Sequence, residues 1–294
     1  MVVARDSLMT SVLPAGGDAF RTHFNQEPFQ FGHRLCEAPA FTWDRIRALA
    51  RRSPFKNSYS GALPVADGFR QPAGTKLSFD EAFDRLKSAP GWIILKKLNR
   101  EPEYAAVQRD CLAEIERRMD RSFEPLIESR TMSLIISSPG QVTPYHVDAD
   151  CNFLFQLQGP KTLYVFDGRD RTVLPAQEEE RFWAGDLNAA RYREENQKKA
   201  WSFALAPGNG VHIPVMFPHW AASGTEISVG LSINFRFHGY IRGDVERMNH
   251  LLRRFGLRPH EAGHSPLADF VKIALYSPPR KGIELAKRVW DRLS

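Results

Sequence analysis

Short apolar runs separated by turn-forming residues dominate the middle of the chain. They are bounded by Gly, Pro, Asp and Asn, and several of them alternate apolar with polar positions, which is the period of a β-strand. The runs span residues 132–136, 143–147, 153–157, 162–166, 201–205, 211–215 and 227–237. Regularly spaced short strands of this kind predict a sandwich or a barrel, and the double-sheet jelly rolls are one such architecture.

Helical patterns flank this β-rich region on both sides. Before it, Thr42 is placed to cap a helix through residue 52, Ser78 and Glu81 form a capping-box pattern, and Pro102 is suited to open a helix through residue 119. Residues 92–95 read as a buried strand. After it, apolar positions at helical spacing predict helices over residues 245–255, 267–276 and 283–293.

The chain shows no low-complexity linker and no internal repeat, so we expect a single domain over residues 1–294. It is mainly β with helical additions. The expected parts are an N-terminal mixed α/β extension over 1–128, a double-stranded β-helix core over 129–238, and C-terminal helices over 239–294.

The cysteine content and the apolar runs of the chain bear on its cellular compartment. The three cysteines, Cys36, Cys111 and Cys151, form neither a disulfide framework nor a Cys-x-x-Cys pair, which favours a reducing compartment. Residues 1–17 lack the apolar core of a signal peptide, and no run reaches the roughly 20 apolar residues of a membrane span. We therefore expect a cytoplasmic protein that does not enter a membrane.

The charge of the chain carries little information about partners. Forty basic residues against 34 acidic ones give a net charge of +6, with the excess concentrated in 242–258 and 280–292. Both segments have helical patterns, and such runs are most often solvated helix faces. Nucleic-acid binding is therefore an unlikely function.

A possible metal site stands in the β-rich region. His146 and Asp148 are two residues apart on or at the end of a strand, so strand geometry points both side chains to one face. His219 follows another short strand and lies, on this pattern, at the turn between two later strands. Two imidazoles and one carboxylate on one side of an ion form the facial triad of non-heme Fe(II) oxygenases.

The sequence around these residues resembles the JmjC and cupin-like family of Fe(II)/2-oxoglutarate oxygenases. The likeness is strongest to the branch that contains the asparaginyl hydroxylase acting on hypoxia-inducible factor. It rests on Val142-Thr-Pro-Tyr-His-Val-Asp148, on Asn152-Phe153 with Gln156-Leu-Gln-Gly-Pro-Lys161, and on Ile213-Pro214, His219 and Asn234-Phe235. These segments cover roughly residues 130 to 238.

The resemblance implies that His146, Asp148 and His219 bind Fe(II), and it assigns further residues to 2-oxoglutarate. Lys161 would pair with the distal carboxylate, and Thr143 would donate a hydrogen bond to it. Physical chemistry agrees, because a buried dianion needs a cationic partner. The segment 221–235 contains no Arg or Lys that could take this role instead. Asn152 and Asn234 match family positions near the iron, and the alternative for each is a structural asparagine in a turn or cap.

Neighbouring residues are expected to have structural roles. His212, Trp220, Cys151 and Tyr145 lie beside the presumed ligands, but strand neighbours usually point to the opposite face. The histidines of the C-terminal region, namely His250, His260 and His264, have no carboxylate at convincing ligand spacing and are expected on the surface.

The resulting hypothesis is an Fe(II)- and 2-oxoglutarate-dependent dioxygenase that consumes dioxygen and releases succinate and CO2. Hydroxylation of a protein side chain or a small molecule is favoured over demethylation, by family analogy with an Asp ligand. The alternatives are a metal-dependent cupin enzyme that does not use 2-oxoglutarate, and a non-catalytic binding or regulatory protein. By the same analogy the C-terminal helices would form a homodimer. The sequence does not identify the substrate.

Overall fold

Two facing β-sheets form the centre of the molecule in a computed structural model, which describes residues 12–14, 17–67, 77–237 and 242–276. The strands β1 to β11 are, in chain order, Phe29–Gly32, Lys56–Ser60, Gly91–Leu95, Ile127–Ser137, Val142–His146, Cys151–Gln158, Lys161–Val165, Trp201–Leu205, Asn209–Ile213, His219–Ser223 and Ser228–Phe237. The larger sheet has the order β1-β9-β6-β11-β4-β3-β2, and the smaller has the order β5-β10-β7-β8. All strand pairs are antiparallel.

Several neighbours in each sheet are distant in sequence, such as β6 with β11 and β5 with β10, because the chain passes between the two sheets. This is the double-stranded β-helix, or jelly roll, that the strand pattern predicted. The strand from 201 to 205 has the predicted bounds, and the other predicted strands are found with shifted ends. The pattern did not predict β1, β2 or β10, which are short and contain few β-branched residues.

Helices cover the outer face of the larger sheet and one end of the sandwich. The helices α1 to α7 are Ala19–Thr22, Trp43–Arg52, Phe79–Arg85, Pro102–Met119, Ala176–Trp183, Arg242–Arg254 and Pro266–Tyr276. The predicted capping box of α3 is present, since Ser78 and Glu81 each accept the other's backbone N–H. Thr42 precedes α2 as predicted, but its hydroxyl donates to the Pro39 carbonyl instead of capping the helix. The predicted helix at 283–293 lies outside the described residues.

One face of the larger sheet packs on the N-terminal helices, and the other face lines the interior of the jelly roll. On β3, Ile93 and Leu95 belong to the main apolar core, whereas Trp92 and Ile94 point inward. Strand alternation therefore separates a packing face from a chamber face.

The short helix α5, which the sequence pattern did not predict, lies against α6 through buried ion pairs. Three consecutive glutamates, Glu178, Glu179 and Glu180, are at most 6 % exposed. Their arginine partners are Arg193 for Glu178, Arg171 and Arg242 for Glu179, and Arg253 for Glu180. The basic run that begins at 242 is therefore partly neutralised inside the protein and is not simply a solvated face. Within the described residues, no helix is long and apolar enough to span a membrane.

Candidate metal and cosubstrate site

The three predicted metal ligands converge at one end of the jelly roll. His146 is the last residue of β5 and His219 is the first residue of β10, and the two are paired across the smaller sheet with ring centroids 4.2 Å apart. Asp148 follows β5 by two residues. Its Oδ2 lies 4.0 Å from His146 Nε2 and 3.8 Å from His219 Nε2. One ligand atom from each residue lies within 4.8 Å of the others, a spacing that a single metal ion can bridge.

A β-bulge brings Thr143 and His146 into the same chamber. The three residues of β10 from His219 to Ala221 face the four residues of β5 from Thr143 to His146. Strict alternation would point Thr143 and His146 to opposite faces, because they are three positions apart. The extra residue at the bulge rotates the end of the strand, so both side chains line the cavity.

Backbone carbonyls fix the orientation of both imidazoles. His146 Nδ1 lies 2.7 Å from the Pro144 carbonyl oxygen, and His219 Nδ1 lies 3.0 Å from that of Phe217. With Nδ1 donating to these carbonyls, the Nε2 lone pair of each imidazole lies on the side of Asp148, where it can bind a metal ion. Burial and the neighbouring His146 lower the pKa of His219 to about 4, which keeps this ring neutral, as a metal ligand must be.

The cavity behind these ligands has a volume of about 630 Å³ and runs along the inner face of the larger sheet. Asn152 on β6 and Asn234 on β11 face each other near the metal end. Ser232 and Gly230 follow on β11 toward the interior. The smaller sheet supplies the opposite wall, with Thr143, Leu163, Lys161 and Ala221.

Lys161 opens β7 and places a buried ammonium group in this cavity. The residue is 5 % exposed, and its Nζ forms no hydrogen bond or ion pair with any residue that the structure describes. Burial lowers the pKa of Lys161 to about 8. A buried cation without a protein partner is costly, so an anionic ligand is its natural complement.

The two predicted asparagines are bonded to each other. Asn152 Nδ2 donates to Asn234 Oδ1 over 2.6 Å and to Ser232 Oγ over 2.9 Å. Asn152 Oδ1 is buried and finds no partner among the described residues. Asn234 Nδ2 donates to Thr131 Oγ1 over 3.4 Å. Both amides line the cavity, but part of their hydrogen-bonding capacity serves the sheet.

Sequence reasoning did not single out the rim of the cavity. Phe182, Trp183 and Leu187 form an apolar wall at the end of α5. Arg247 of α6 donates to the Trp183 carbonyl over 2.9 Å and stacks its guanidinium on the indole. Across the rim, Arg236 pairs with Asp150 at 2.8 Å. Because the wall comes from α5, its position could not be inferred from the strand pattern.

The neighbours of the ligands have the expected structural roles. His212 is fully buried, with Nε2 accepting the Asn25 backbone N–H and Nδ1 donating to the Asn152 carbonyl. Trp220 stacks on Tyr164, Tyr145 packs against Phe166, and Cys151 is fully buried.

His250, His260 and His264 are not among the residues that line this cavity. His260 and His264 are exposed, as expected for surface residues, and their rings stack on each other at 5.0 Å. His250 is half-buried rather than exposed.

The fold and the His-Asp-His cluster together define a jelly-roll protein with a candidate metal centre at one end. Among solved structures, the chain is similar to that of YcfD from Escherichia coli, with a TM-score of 0.51 and 17 % identity over 91 % of this chain and 68 % of that chain. A second YcfD structure, described as a ribosomal oxygenase with cobalt and 2-oxoglutarate, matches with a TM-score of 0.49 and 18 % identity, covering 85 % of this chain and 59 % of that chain.

The first of these matches shows the shared fold. The predicted closeness to the asparaginyl hydroxylase branch is not shown by them. No protein-family model matches the chain, and no curated protein matches it either.

Proposed function

We propose that this protein is an Fe(II)- and 2-oxoglutarate-dependent oxygenase. One observation carries the proposal: the buried ammonium of Lys161, which has no partner among the described residues, shares a cavity with the His146, Asp148 and His219 cluster. A metal site alone fits many enzymes. A metal site with a buried, unsatisfied cation in the same chamber fits a chelating ligand that ends in a second anionic group.

The donor set fits a divalent iron ion. Two neutral imidazole nitrogens and one carboxylate oxygen are ligands that Fe(II) accepts, and their placement on one side leaves the other coordination positions open. Asp148 is 43 % exposed, so it lies on the accessible side of the cluster, while His219 is buried. His146, Asp148 and His219 would hold the metal.

The chamber also fits the cosubstrate. 2-Oxoglutarate carries a metal-chelating end and a distal carboxylate, which Lys161 would bind by an ion pair. Thr143, which is half-buried on the same wall, would donate a hydrogen bond to that carboxylate. Asn152 and Asn234 face the metal end of the chamber, where their amides would bind the chelating end or orient it.

When bound, Fe(II) and 2-oxoglutarate supply an oxidant from dioxygen, with one oxygen atom leaving in succinate and the other entering the substrate. The residues of this chain bind and orient these groups. The Nδ1 hydrogen bonds to Pro144 and Phe217 hold both imidazoles in the ligating tautomer. The apolar inner walls exclude water from the reacting end.

The favoured reaction is hydroxylation, in keeping with an aspartate as the carboxylate ligand. The substrate would be a protein side chain or a small molecule that enters over the rim formed by Trp183, Leu187 and Arg236. YcfD is described as a ribosomal oxygenase, and our proposal assigns this chain the same kind of reaction without assigning it a ribosomal substrate.

The direct test is turnover of 2-oxoglutarate by the purified protein. We expect succinate to form only with Fe(II) and dioxygen, and His146→Ala to abolish it. His260→Ala is the matched control, because it removes an exposed histidine outside the cavity and should leave turnover unchanged. Metal-dependent activity without 2-oxoglutarate would favour the alternative cupin enzymes. A folded, metal-loaded protein that neither binds nor consumes 2-oxoglutarate would refute the proposal.

We also propose that the chain is a single domain that forms a homodimer through its C-terminal helices. The main apolar core includes residues from Val12 to Phe235, so the N-terminal extension and the jelly roll share it.

Around α6 and α7, large apolar side chains are exposed: Phe255 at 76 %, Leu267 at 75 % and Leu275 at 72 %. An exposed apolar surface of this kind is typical of an interface. Light scattering should give the mass of two chains, and Phe255→Ser with Leu267→Ser should shift it to one.

A further inference from the structure

From Ser228 to Asn234, the inner face of β11 carries only small or short side chains. Ser232 and Asn234 line the cavity, and Ser228 and Gly230 share their face of the strand by alternation, while the large residues between them pack in the core. This strict alternation leaves a shallow track along the strand. The track runs from the amides at the metal end to Gly230, beneath the Lys161 ammonium.

Gly230 keeps the space beside the lysine open. A Cβ built at this position would lie 3.8 Å from Lys161 Nζ, 3.6 Å from Gln156 Oε1 and 3.3 Å from Leu154 Cδ1. An anionic oxygen held about 2.8 Å from Lys161 Nζ on the side of β11 would occupy this volume.

Gln156 lies beside Gly230, with Oε1 3.6 Å from the position of that Cβ. The two residues are direct partners across β6 and β11. Gln156 is fully buried, and its Nε2 lies 2.8 Å from the carbonyl oxygens of Gln158 and Gly159 and 2.9 Å from Ser228 Oγ. These contacts fix the amide, so Oε1 is directed to the other side. There it has no hydrogen-bond partner among the residues described.

We propose that Gly230 and Gln156 form the end wall of the cosubstrate chamber and set the length of the 2-oxo diacid that the protein accepts. The inference rests on the proposed function, because it assumes that Lys161 binds the distal carboxylate. Gly230 provides the room for that carboxylate. The fixed amide of Gln156 blocks a longer chain, and its free oxygen accepts a hydrogen bond from the ammonium once the ligand has drawn the lysine into place.

The length series can be measured on the unaltered protein. Calorimetric titration of the Mn(II)-loaded native protein gives its affinity for oxaloacetate, 2-oxoglutarate and 2-oxoadipate. Each of these diacids is one methylene group longer than the one before. We expect 2-oxoadipate to bind at least roughly tenfold more weakly than 2-oxoglutarate, since an overfilled buried site costs about 1–3 kcal/mol. Equal affinity for the longer diacid would overturn the end-wall assignment.

Gly230→Ala moves the wall inward. Nothing but Leu154 Cδ1 comes closer than 3.4 Å to the new methyl group, and that atom ends a flexible side chain, so the variant should fold. Its affinity for 2-oxoglutarate should fall roughly tenfold, and its preference should shift toward oxaloacetate. Gly17→Ala is the control, because a methyl group there meets nothing within 4 Å.

The results separate the two proposals. If the native protein binds Mn(II) but no 2-oxo diacid, the proposed function fails. If it binds 2-oxoglutarate and Gly230→Ala binds the same diacids with unchanged order and affinity, only the end wall is refuted. Thermal unfolding of each variant identifies a loss of fold, and in that case the length series on the native protein decides the question.

Discussion

Buried charges occur in two regions of this molecule, and they differ in how their partners are supplied. On α5, each of the glutamates 178 to 180 has an arginine partner within the protein, supplied by α6 or by the segments that flank α5. In the jelly roll, the ammonium of Lys161 is equally buried but has no partner among the described residues. The charges of the glutamates are balanced within the protein. The charge of Lys161 would be balanced only by an anion that binds from outside.

Lys272 and Lys161 show the same difference, because both are buried but only Lys272 has partners within the part of the protein that the structure describes. Lys272 on α7 is 7 % exposed, and its Nζ donates to the His260 carbonyl over 2.6 Å and lies 3.6 Å from Asp269 Oδ1. Lys161 is 5 % exposed and has neither kind of contact. Burial of a charge therefore does not identify a binding site, whereas burial without a partner inside a cavity does.

The largest effect on stability is expected from breaking the α5–α6 ion pairs. Glu179→Gln leaves Arg171 and Arg242 without their shared carboxylate. Removing one partner of a fully buried pair costs about 3–5 kcal/mol. Both arginines are about a third exposed and Arg171 keeps Glu261, so the free energy of unfolding should fall by about 2–3 kcal/mol in urea denaturation. Glu226→Gln, on an exposed loop, should change it by less than about 0.5 kcal/mol.

Glu179→Gln also tests whether the ion pairs around α5 act independently of the cavity that contains Lys161. Under conditions where Glu179→Gln remains folded, its affinity for 2-oxoglutarate should match that of the native protein. A selective loss of 2-oxoglutarate binding at unchanged stability would contradict the structural role of the ion pairs.

A smaller effect is expected from Glu246 on α6. Burial, reinforced by the negative charges of Glu179 and Glu180, raises the pKa of Glu246 to about 7, although Arg242 opposes the shift. Because the folded-state pKa lies above the ordinary value, the group stabilises the fold fully below about pH 4.5, and that contribution is lost as the pH rises through 7.

Glu246→Gln removes this dependence while keeping the shape of the side chain. Between about pH 5 and about pH 8 the native protein should lose on the order of 1–3 kcal/mol of unfolding free energy through Glu246. The variant should not lose this contribution. Urea denaturation at the two pH values measures the difference. A parallel pH dependence for the two proteins would show that Glu246 titrates normally.

The sequence predicted the architecture because the jelly-roll strands carry their own pattern. Apolar runs bounded by turn residues located most of the strands of the two sheets, and the residues at 146, 148 and 219 could be singled out before their geometry was known. The spatial convergence of these three residues and the burial of Lys161 agree with that reading. Their roles in catalysis stay predictions.

Other parts of the site depend on features that no local pattern carries. The bulge in β5 places Thr143 and His146 on one side against strict alternation. His219 was expected in a turn, but it begins a strand whose partners, β5 and β7, are far away in sequence. The bond between Asn152 and Asn234 arises from pairing of β6 with β11. The alternation of Ser228, Gly230 and Ser232 was visible in the sequence and is the signal that could have located the chamber floor.

The central claim is that Lys161 is left without a protein partner because an anionic cosubstrate supplies one. The most direct measurement is 2-oxoglutarate affinity by calorimetry, with Mn(II) bound, for the native protein, Lys161→Met and Lys272→Met. We expect Lys161→Met to lose about 100-fold or more in affinity without losing stability, and Lys272→Met to keep its affinity while becoming less stable. Undiminished 2-oxoglutarate binding by Lys161→Met, or no binding by the native protein, would contradict the account.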